Sequence, residues 1–204
     1  VEASALVKEI TNVNFDASID LAVRLGVDPR KANQMVRGVV TLPHGTGKDV
    51  KVLALVTPDK EAEATEAGAD YVGLDEYLKK IKEGWTDVDV IITMPSVMGK
   101  LGPLGRILGP RGLMPNPKTG TIGPDLTKMV GELKKGKVSY KNDATANVHL
   151  TIGKVSFDEA KLVKNFETFL DSLKKAKPPT VKATYIKSLY LSSSMGPSIK
   201  VSIN

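Results

Sequence analysis

Two different patterns of apolar residues occur along this chain, and together they restrict the folds that it can adopt. Between residues 13 and 25 every second side chain is apolar, which predicts a strand with one buried face. The same pattern returns after Asn142. Residues 50–56 and 88–94 are instead continuous apolar runs, which are typical of parallel strands covered on both faces. We therefore expect the ends of the chain and its middle to form different domains.

This change of pattern predicts that one domain is inserted into another. Residues 1–45 and 143–204 are expected to form a discontinuous α+β domain, with a half-buried antiparallel sheet and helices on one face. Residues 46–142 are expected to form an inserted α/β domain with three layers and a Rossmann-like parallel sheet, ending with a strand near 137–141. The two crossings, at 45–47 and 142–143, would act as a hinge. The hinge residues predicted are Gly45, Gly47 and Asn142.

Two helix boundaries in the discontinuous domain are predicted from local signals. Asp28 and Pro29 are typical of a helix start, and Gly38 is expected to end that short helix. Further along, Ser156 and Glu159 have the spacing of a capping box and predict the start of a longer helix.

The segment from 99 to 120 is unusually rich in glycine, proline and positive charge. It holds six glycines, four prolines and four basic residues, and the next acidic residue is Asp125. Glycine and proline at this density predict a fixed irregular path beyond the carboxyl end of the 88–94 strand. Its cations suit phosphate, although a solvated surface loop is the alternative. The predicted secondary RNA contacts are Lys100, Arg106, Arg111 and Lys118.

Charge and composition favour an anionic partner. The net charge is +6, and it is localised: residues 46–99 carry −5 while residues 100–142 carry +7. The chain has no cysteine, which removes disulfides and thiolate chemistry. It also has no apolar run long enough to cross a bilayer, so no membrane association and a cytoplasmic location are expected.

The motifs of enzymes and metal sites are not found. HGTGKD at 44–49 differs from a phosphate-binding loop, because Leu42 stands where that loop needs glycine and Asp49 where it needs a hydroxyl. The two histidines, His44 and His149, are isolated, so no metal site is expected. No catalytic residues and no cofactor are predicted. A nucleotide-handling enzyme built on the inserted domain is kept as the alternative.

Five motifs in the same order closely resemble the bacterial ribosomal protein L-one family. They are LPHGTGK (42–48), AGADYVG (67–73), LGRILGPRGLMPNPKTGT (104–121), GKVSF (153–157) and SMGPS (194–198). The resemblance implies a monomeric protein of the large ribosomal subunit that binds the mobile stalk of the large rRNA. It also implies help in releasing deacylated tRNA from the exit site, and repression of the protein's own messenger. Family members usually begin with about twenty further residues rich in Lys and Arg, so an N-terminal segment is expected to be missing here.

The resemblance further implies which residues contact rRNA, all of them on the discontinuous domain. By motif these are Phe15, Ser18, His149, Lys154, Ser188, Ser194, Met195 and Gly196. Asn14 stands where the family commonly has lysine, which removes one phosphate contact. We expect Gly196→Val to fold yet to bind rRNA at least about tenfold more weakly, because its side chain would keep RNA away from the turn.

Overall fold

A computed structural model describes residues 2–181 and 184–202, and for Ala32 and Lys118 it describes the backbone alone. The strands in these ranges are β1 (Ser18–Leu25), β2 (Arg37–Thr41), β3 (Val52–Leu55), β4 (Tyr71–Gly73), β5 (Val90–Thr93), β6 (Lys137–Lys141), β7 (Asn147–Lys154), β8 (Ile186–Ser193) and β9 (Ser198–Lys200). The α-helices are α1 (Glu2–Glu9), α2 (Glu61–Glu66), α3 (Asp75–Lys82), α4 (Met98–Leu101), α5 (Gly105–Leu108), α6 (Leu126–Lys134) and α7 (Glu159–Lys175). The fold is therefore a mixture of helices and sheets. No helix in the described ranges is long and apolar enough to cross a membrane.

The chain divides into two compact units, and one of them is discontinuous. It comprises residues 1–48 and 135–204 and contains an antiparallel sheet of four strands in the order β7-β1-β8-β9. One face of this sheet is apolar, and every second residue of β1 is buried there, from Ile19 to Leu25. These side chains share a core with Phe169 and Leu173 of α7. Burying each of these side chains stabilises the fold by about 1.5–3 kcal/mol. The apolar face of the sheet is therefore held against α7, and the opposite face remains open.

The first strand is shorter than the sequence pattern predicted. It begins at Ser18 and not near residue 13, because the side chain of Phe15 is 55% exposed instead of continuing the buried row. The prediction of a short helix that starts at Asp28 and ends at Gly38 was also wrong. The only helical residues there are a 3-10 turn at Ala32–Gln34, and Gly38 lies inside β2.

The start of α7 also differs from the predicted capping box. Its N-cap residue is Asp158, and the hydroxyl of Ser156 donates instead to the carboxylate of Asp16, at 2.9 Å. The predicted helix is present, but Ser156 ties the chain before β1 to the chain after β7.

The strand at 137–141 belongs to the discontinuous unit and not to the inserted one. As β6, it pairs with β2 from Arg37–Lys141 to Thr41–Lys137. Tyr140 of β6 packs edge-on against Phe169, with 5.3 Å between ring centroids, and its hydroxyl lies 3.0 Å from that of Ser172. These contacts bring the second crossing to Lys134–Lys135, before the predicted position at 142–143.

The second unit comprises residues 49–134 and contains a parallel sheet in the order β4-β3-β5. All four residues of β3 are buried, as its continuous apolar run predicted. Leu53 and Leu55 pack with residues of α3, α4 and α5, whereas Val52 and Ala54 pack with residues of α2 and α6. Helices therefore cover both faces of this strand.

Candidate nucleic-acid interface

The eight residues predicted to contact rRNA all lie in the discontinuous unit, and six of them lie at one end of its sheet. Ser18 begins β1 and pairs with Lys154, which ends β7. On the other side of β1, the backbone N–H of Ser194 donates to the carbonyl of Ser18 at 3.0 Å. We call this end of the sheet the turn patch; its residues are Phe15, Ser18, Lys154, Ser194, Met195 and Gly196.

Met195 is the most exposed large apolar side chain of the described residues, at 93%. Its φ is 60°, a left-handed conformation that costs a residue with a Cβ atom about 1–2 kcal/mol. The conformation is held by the N–H of Gly196, which donates to the carbonyl of Ser193 at 2.9 Å. A strained backbone held at an exposed residue supports the hypothesis that the turn is functional.

Gly196 packs closely against the protein's own Ser193 side chain. A Cβ atom at this position would lie 2.2 Å from the hydroxyl oxygen of Ser193, so that side chain or the turn would have to move. The Ser193 side chain is buried, and its oxygen has no hydrogen-bond partner in the described part of the chain. Gly196→Val therefore disturbs the turn from beneath, and weaker RNA binding by this variant would not identify a contact.

Asp16 lies beside the turn patch and was missed by the sequence reasoning. Its carboxylate accepts hydrogen bonds from the N–H and hydroxyl of Ser156, at 3.0 and 2.9 Å, and lies 3.7 Å from the Lys154 ammonium. Desolvation opposes ionisation of Asp16, but the bonds from Ser156 and the charge of Lys154 outweigh it and lower the pKa of the carboxyl group. The only sequence signal was an acidic residue beside the predicted Phe15 contact. Asp16 holds Lys154 at the edge of the patch.

His149 and Ser188 lie on the sheet but away from the turn patch. His149 pairs with Ala22 and Ser188 with Arg24, four and six residues along β1 from Ser18. At about 3.3 Å per residue these positions are about 13 and 20 Å from that end. The eight predicted residues therefore form one patch and two separate positions on the same sheet.

His149 faces a negatively charged turn. Its Nε2 atom lies 3.7 Å from the carboxylate of Asp143. Desolvation of Asp143 acts against ionisation, but hydrogen bonds from the backbone of Asn147 and from Thr145 lower its pKa to about 2. Asp143 therefore carries its charge at neutral pH.

Gly45, one of the predicted hinge residues, is firmly anchored in the discontinuous unit. The buried side chain of Asn165 donates to the carbonyls of Gly45 and Ile152, at 2.9 and 2.8 Å. A Cβ atom on Gly136 would lie 2.5 Å from the Cα atom of Gly45, so the backbones of the outgoing and returning chain touch. Gly47 is similarly close to the ring of Phe157.

Asn142 does not lie at a crossing between the units. It is buried, its side-chain oxygen accepts from the N–H of Val36 at 2.9 Å, and its own N–H donates to the Val36 carbonyl. Asn142 is therefore a structural residue beside the β2–β6 pair.

The glycine-rich and proline-rich segment begins with helical turns instead of an irregular path. A 3-10 turn at Pro95–Val97 leads into α4, a second 3-10 turn at Gly102–Leu104 and then α5. Val97, Leu101, Leu104 and Leu108 are buried in one cluster. Their spacing of four, three and four residues is helical and was visible in the sequence. Pro95 and Pro103 are tolerated because each lies in the first turn of a short helix.

The cations of this segment are partly engaged within the inserted unit. The Lys100 ammonium lies 3.3 Å from Asp75, and the Arg111 guanidinium donates to the hydroxyl of Thr86. Arg106 is exposed and forms no ion pair with another described residue. The side chain of Lys118 lies outside the part of the structure that is described. The described residues also contain no group of His, Asp and Glu that could hold a metal ion.

Comparison with known proteins identifies the family. Residues 6–197 match the family model described as the ribosomal protein L1p/L10e family. The chain belongs to this family. It is similar to proteins named large ribosomal subunit protein uL1. One from Christiangramia forsetii is 70% identical over 200 residues, which are 98% of this chain and 86% of that protein.

Two further L1p/L10e relatives support the assignment. The protein from Flavobacterium johnsoniae is 69% identical over 198 residues, covering 97% of this chain and 86% of the relative. The protein from Porphyromonas gingivalis is 68% identical over 200 residues, which cover 98% of this chain and 86% of the relative. The resemblance predicted from the five motifs is therefore confirmed. Since the family is one of ribosomal proteins, the alternative of a nucleotide-handling enzyme is not retained.

Proposed function

We propose that this protein is a structural component of the large ribosomal subunit, located in cytoplasmic ribosomes, and that it binds the stalk region of the large rRNA through the turn patch. Its similarity to proteins named large ribosomal subunit protein uL1 supports the assembly. The observation that carries the site is the 93% exposure of Met195 on a left-handed turn beside Ser18 and Lys154.

The chemistry of the turn patch suits RNA with unpaired nucleotides. Met195 and Phe15 offer exposed apolar surfaces to an unstacked base or a ribose, and Met adapts its shape to such a partner. The hydroxyls of Ser18 and Ser194 have the size and polarity to bond with 2′-hydroxyl groups, which distinguish RNA from DNA. Lys154 supplies a cation for a phosphate.

Further roles are proposed in the same framework. The cationic segment, with Arg106 the most available of its described cations, is proposed as a secondary contact for rRNA or exit-site tRNA. Release of deacylated tRNA would require the stalk to move, and the crossings beside Gly47 and Lys135 are proposed as a hinge.

Repression of the protein's own messenger is proposed to use the same surface: the turn patch would bind a part of the messenger RNA that mimics the stalk. The parallel sheet with cores on both faces supports a Rossmann-like inserted domain.

Met195→Ala tests the site directly. We expect this variant to bind a transcript of the stalk region at least about tenfold more weakly, because it removes the main exposed apolar contact. Met35→Ala is the matched control, since Met35 is also an exposed methionine of the same unit, at 36%. Filter binding would measure both affinities. Equal affinities of the two variants would refute the turn patch as the contact.

A further inference from the structure

The open face of the four-stranded sheet carries a second feature that the turn patch does not use. Ala22 pairs with His149 on one side and with Tyr190 on the other, and Tyr190 pairs with Lys200. Residues opposite each other on neighbouring strands point to the same face. One row of residues therefore crosses the four strands of the sheet. We call it the cross-strand row; its members are His149 (β7), Ala22 (β1), Tyr190 (β8) and Lys200 (β9).

The cross-strand row lies on the face opposite the apolar core. The residues that alternate with its members, such as Leu21, Val148 and Leu189, are buried. In contrast, the side chain of His149 is 64% exposed, Tyr190 is 38% exposed, and Lys200 is exposed. Tyr190 is one of the ten aromatic residues of the chain, which are four Phe, one Trp and five Tyr.

The small side chain of Ala22 leaves a gap between two rings. Neighbouring strands lie about 4.8 Å apart, so the Cα atoms of His149 and Tyr190 are about 10 Å apart across Ala22. Stacked or tilted aromatic pairs have centroids about 4.5–7 Å apart, so one planar group between two rings fits this width. Ala22 would form the floor of such a slot.

The open face around the slot carries both signs of charge: two cations suit the phosphates of a nucleotide, and the carboxylate of Asp20, two residues from Ala22, accepts a hydrogen bond from the Thr151 hydroxyl at 2.6 Å. Lys200 follows Tyr190 in the row, and Arg24 lies two residues from Ala22 on the same face of β1 and is exposed. Both cations can reach phosphates on either side of an inserted base. Asp143 lies 3.7 Å from the imidazole of His149, on the side of β7 opposite β1.

We propose that the cross-strand row binds one unstacked RNA base over Ala22, between the imidazole of His149 and the ring of Tyr190. The inference rests on the proposed function and adds to it a base-binding position about 13 Å from Ser18, the distance of four residues along a strand. A strand of RNA that contacts Met195 thus has a second position on the same sheet.

The proposal is tested on the full chain with a transcript of the stalk region of the large-subunit rRNA. Tyr190→Leu keeps an apolar side chain but removes the ring, and Ala22→Val fills the slot without removing a contact. We expect each to weaken binding about tenfold, as the loss of one base–aromatic stack does. Tyr190→Phe should bind as wild type. Ser139→Val is the matched control for Ala22→Val, because Ser139 is an exposed strand residue of β6.

A spectroscopic measurement reports stacking itself. Trp85→Phe removes the only tryptophan, so adding Tyr190→Trp places a single fluorophore in the row. We expect RNA to quench its fluorescence, and Ala22→Val in the same protein to abolish the quenching.

If wild type binds the transcript and both Tyr190→Leu and Ala22→Val bind it as tightly as wild type does, the base slot is wrong and the proposed function stands. If wild type shows no preference for the transcript over a scrambled RNA, both fail.

Discussion

The hydroxyl of Ser193 lies beneath the turn that ends at Gly196, and the two residues leave each other almost no space. The Ser193 oxygen is buried without a partner in the described part of the chain, which makes it an unfavourable group. At this scale the sequence shows that a glycine is present, but it does not show which neighbour requires it. Gly196 could therefore be predicted to lie in the turn patch, whereas its contact with Ser193 could not.

This contact predicts a strong coupling between the two positions. Gly196→Ala should lower the free energy of unfolding by about 1–3 kcal/mol, the usual cost of overpacking. Ser193→Ala should leave stability unchanged or raise it, since it removes an unsatisfied hydroxyl. In the double variant the remaining contacts of the new Cβ atom are 3.4 Å or longer, so most of the loss should be recovered. Urea unfolding of the four proteins measures this, and additive effects would contradict it.

At the scale of elements, runs of apolar residues identified strands, whereas the helix-boundary signals at Asp28–Gly38 and Ser156 and the pairing of β6 were not predicted correctly. The alternation of apolar residues identified β1, and the continuous run identified β3, because burial on one or both faces is written into the sequence. The helical spacing from Val97 to Leu108 was equally visible, but the density of glycine and proline suggested a loop. That β6 pairs with β2 depends on contacts between residues about a hundred positions apart, which local reasoning does not reach.

The turn between β6 and β7 predicts a dependence of stability on acid. The folded-state pKa of Asp143 is about 2, below its ordinary value of 3.8. Its contribution is therefore complete above about pH 4 and is lost as the pH falls toward 2. Asp143→Asn keeps an acceptor for the N–H groups of Thr145 and Asn147 but does not titrate. Urea unfolding at about pH 5 and about pH 3 should show a larger loss for wild type than for Asp143→Asn; equal losses would contradict this.

At the scale of the whole molecule, the cationic segment at 99–120 and the predicted rRNA contact lie in different units. The cationic segment belongs to residues 49–134, whereas the turn patch belongs to the discontinuous unit. The motifs identified the family, and only the structure showed that six of the eight predicted contacts lie at one end of a sheet. It also showed that Lys100 and Arg111 already have partners within the inserted unit.

This separation predicts that the cationic segment adds little to stalk binding. Replacing Arg106 and Arg111 together by Ala should weaken binding of the stalk transcript by no more than about fivefold, roughly 1 kcal/mol. Filter binding over a range of salt concentrations measures the effect. A large loss of affinity, with the salt slope reduced by about two, would show that these arginines bind stalk rRNA directly.

The most direct test of the turn patch uses the methionines as reporters. The chain has six: Met35, Met94, Met98, Met114, Met129 and Met195. Only the first and last lie in the discontinuous unit. With methyl-labelled methionine, the NMR spectrum of the full chain would be recorded as stalk transcript is added. We expect the Met195 methyl resonance to shift or broaden while the others change little. A shift of Met98 and Met114 with Met195 unchanged would place the contact on the inserted unit and contradict the proposal.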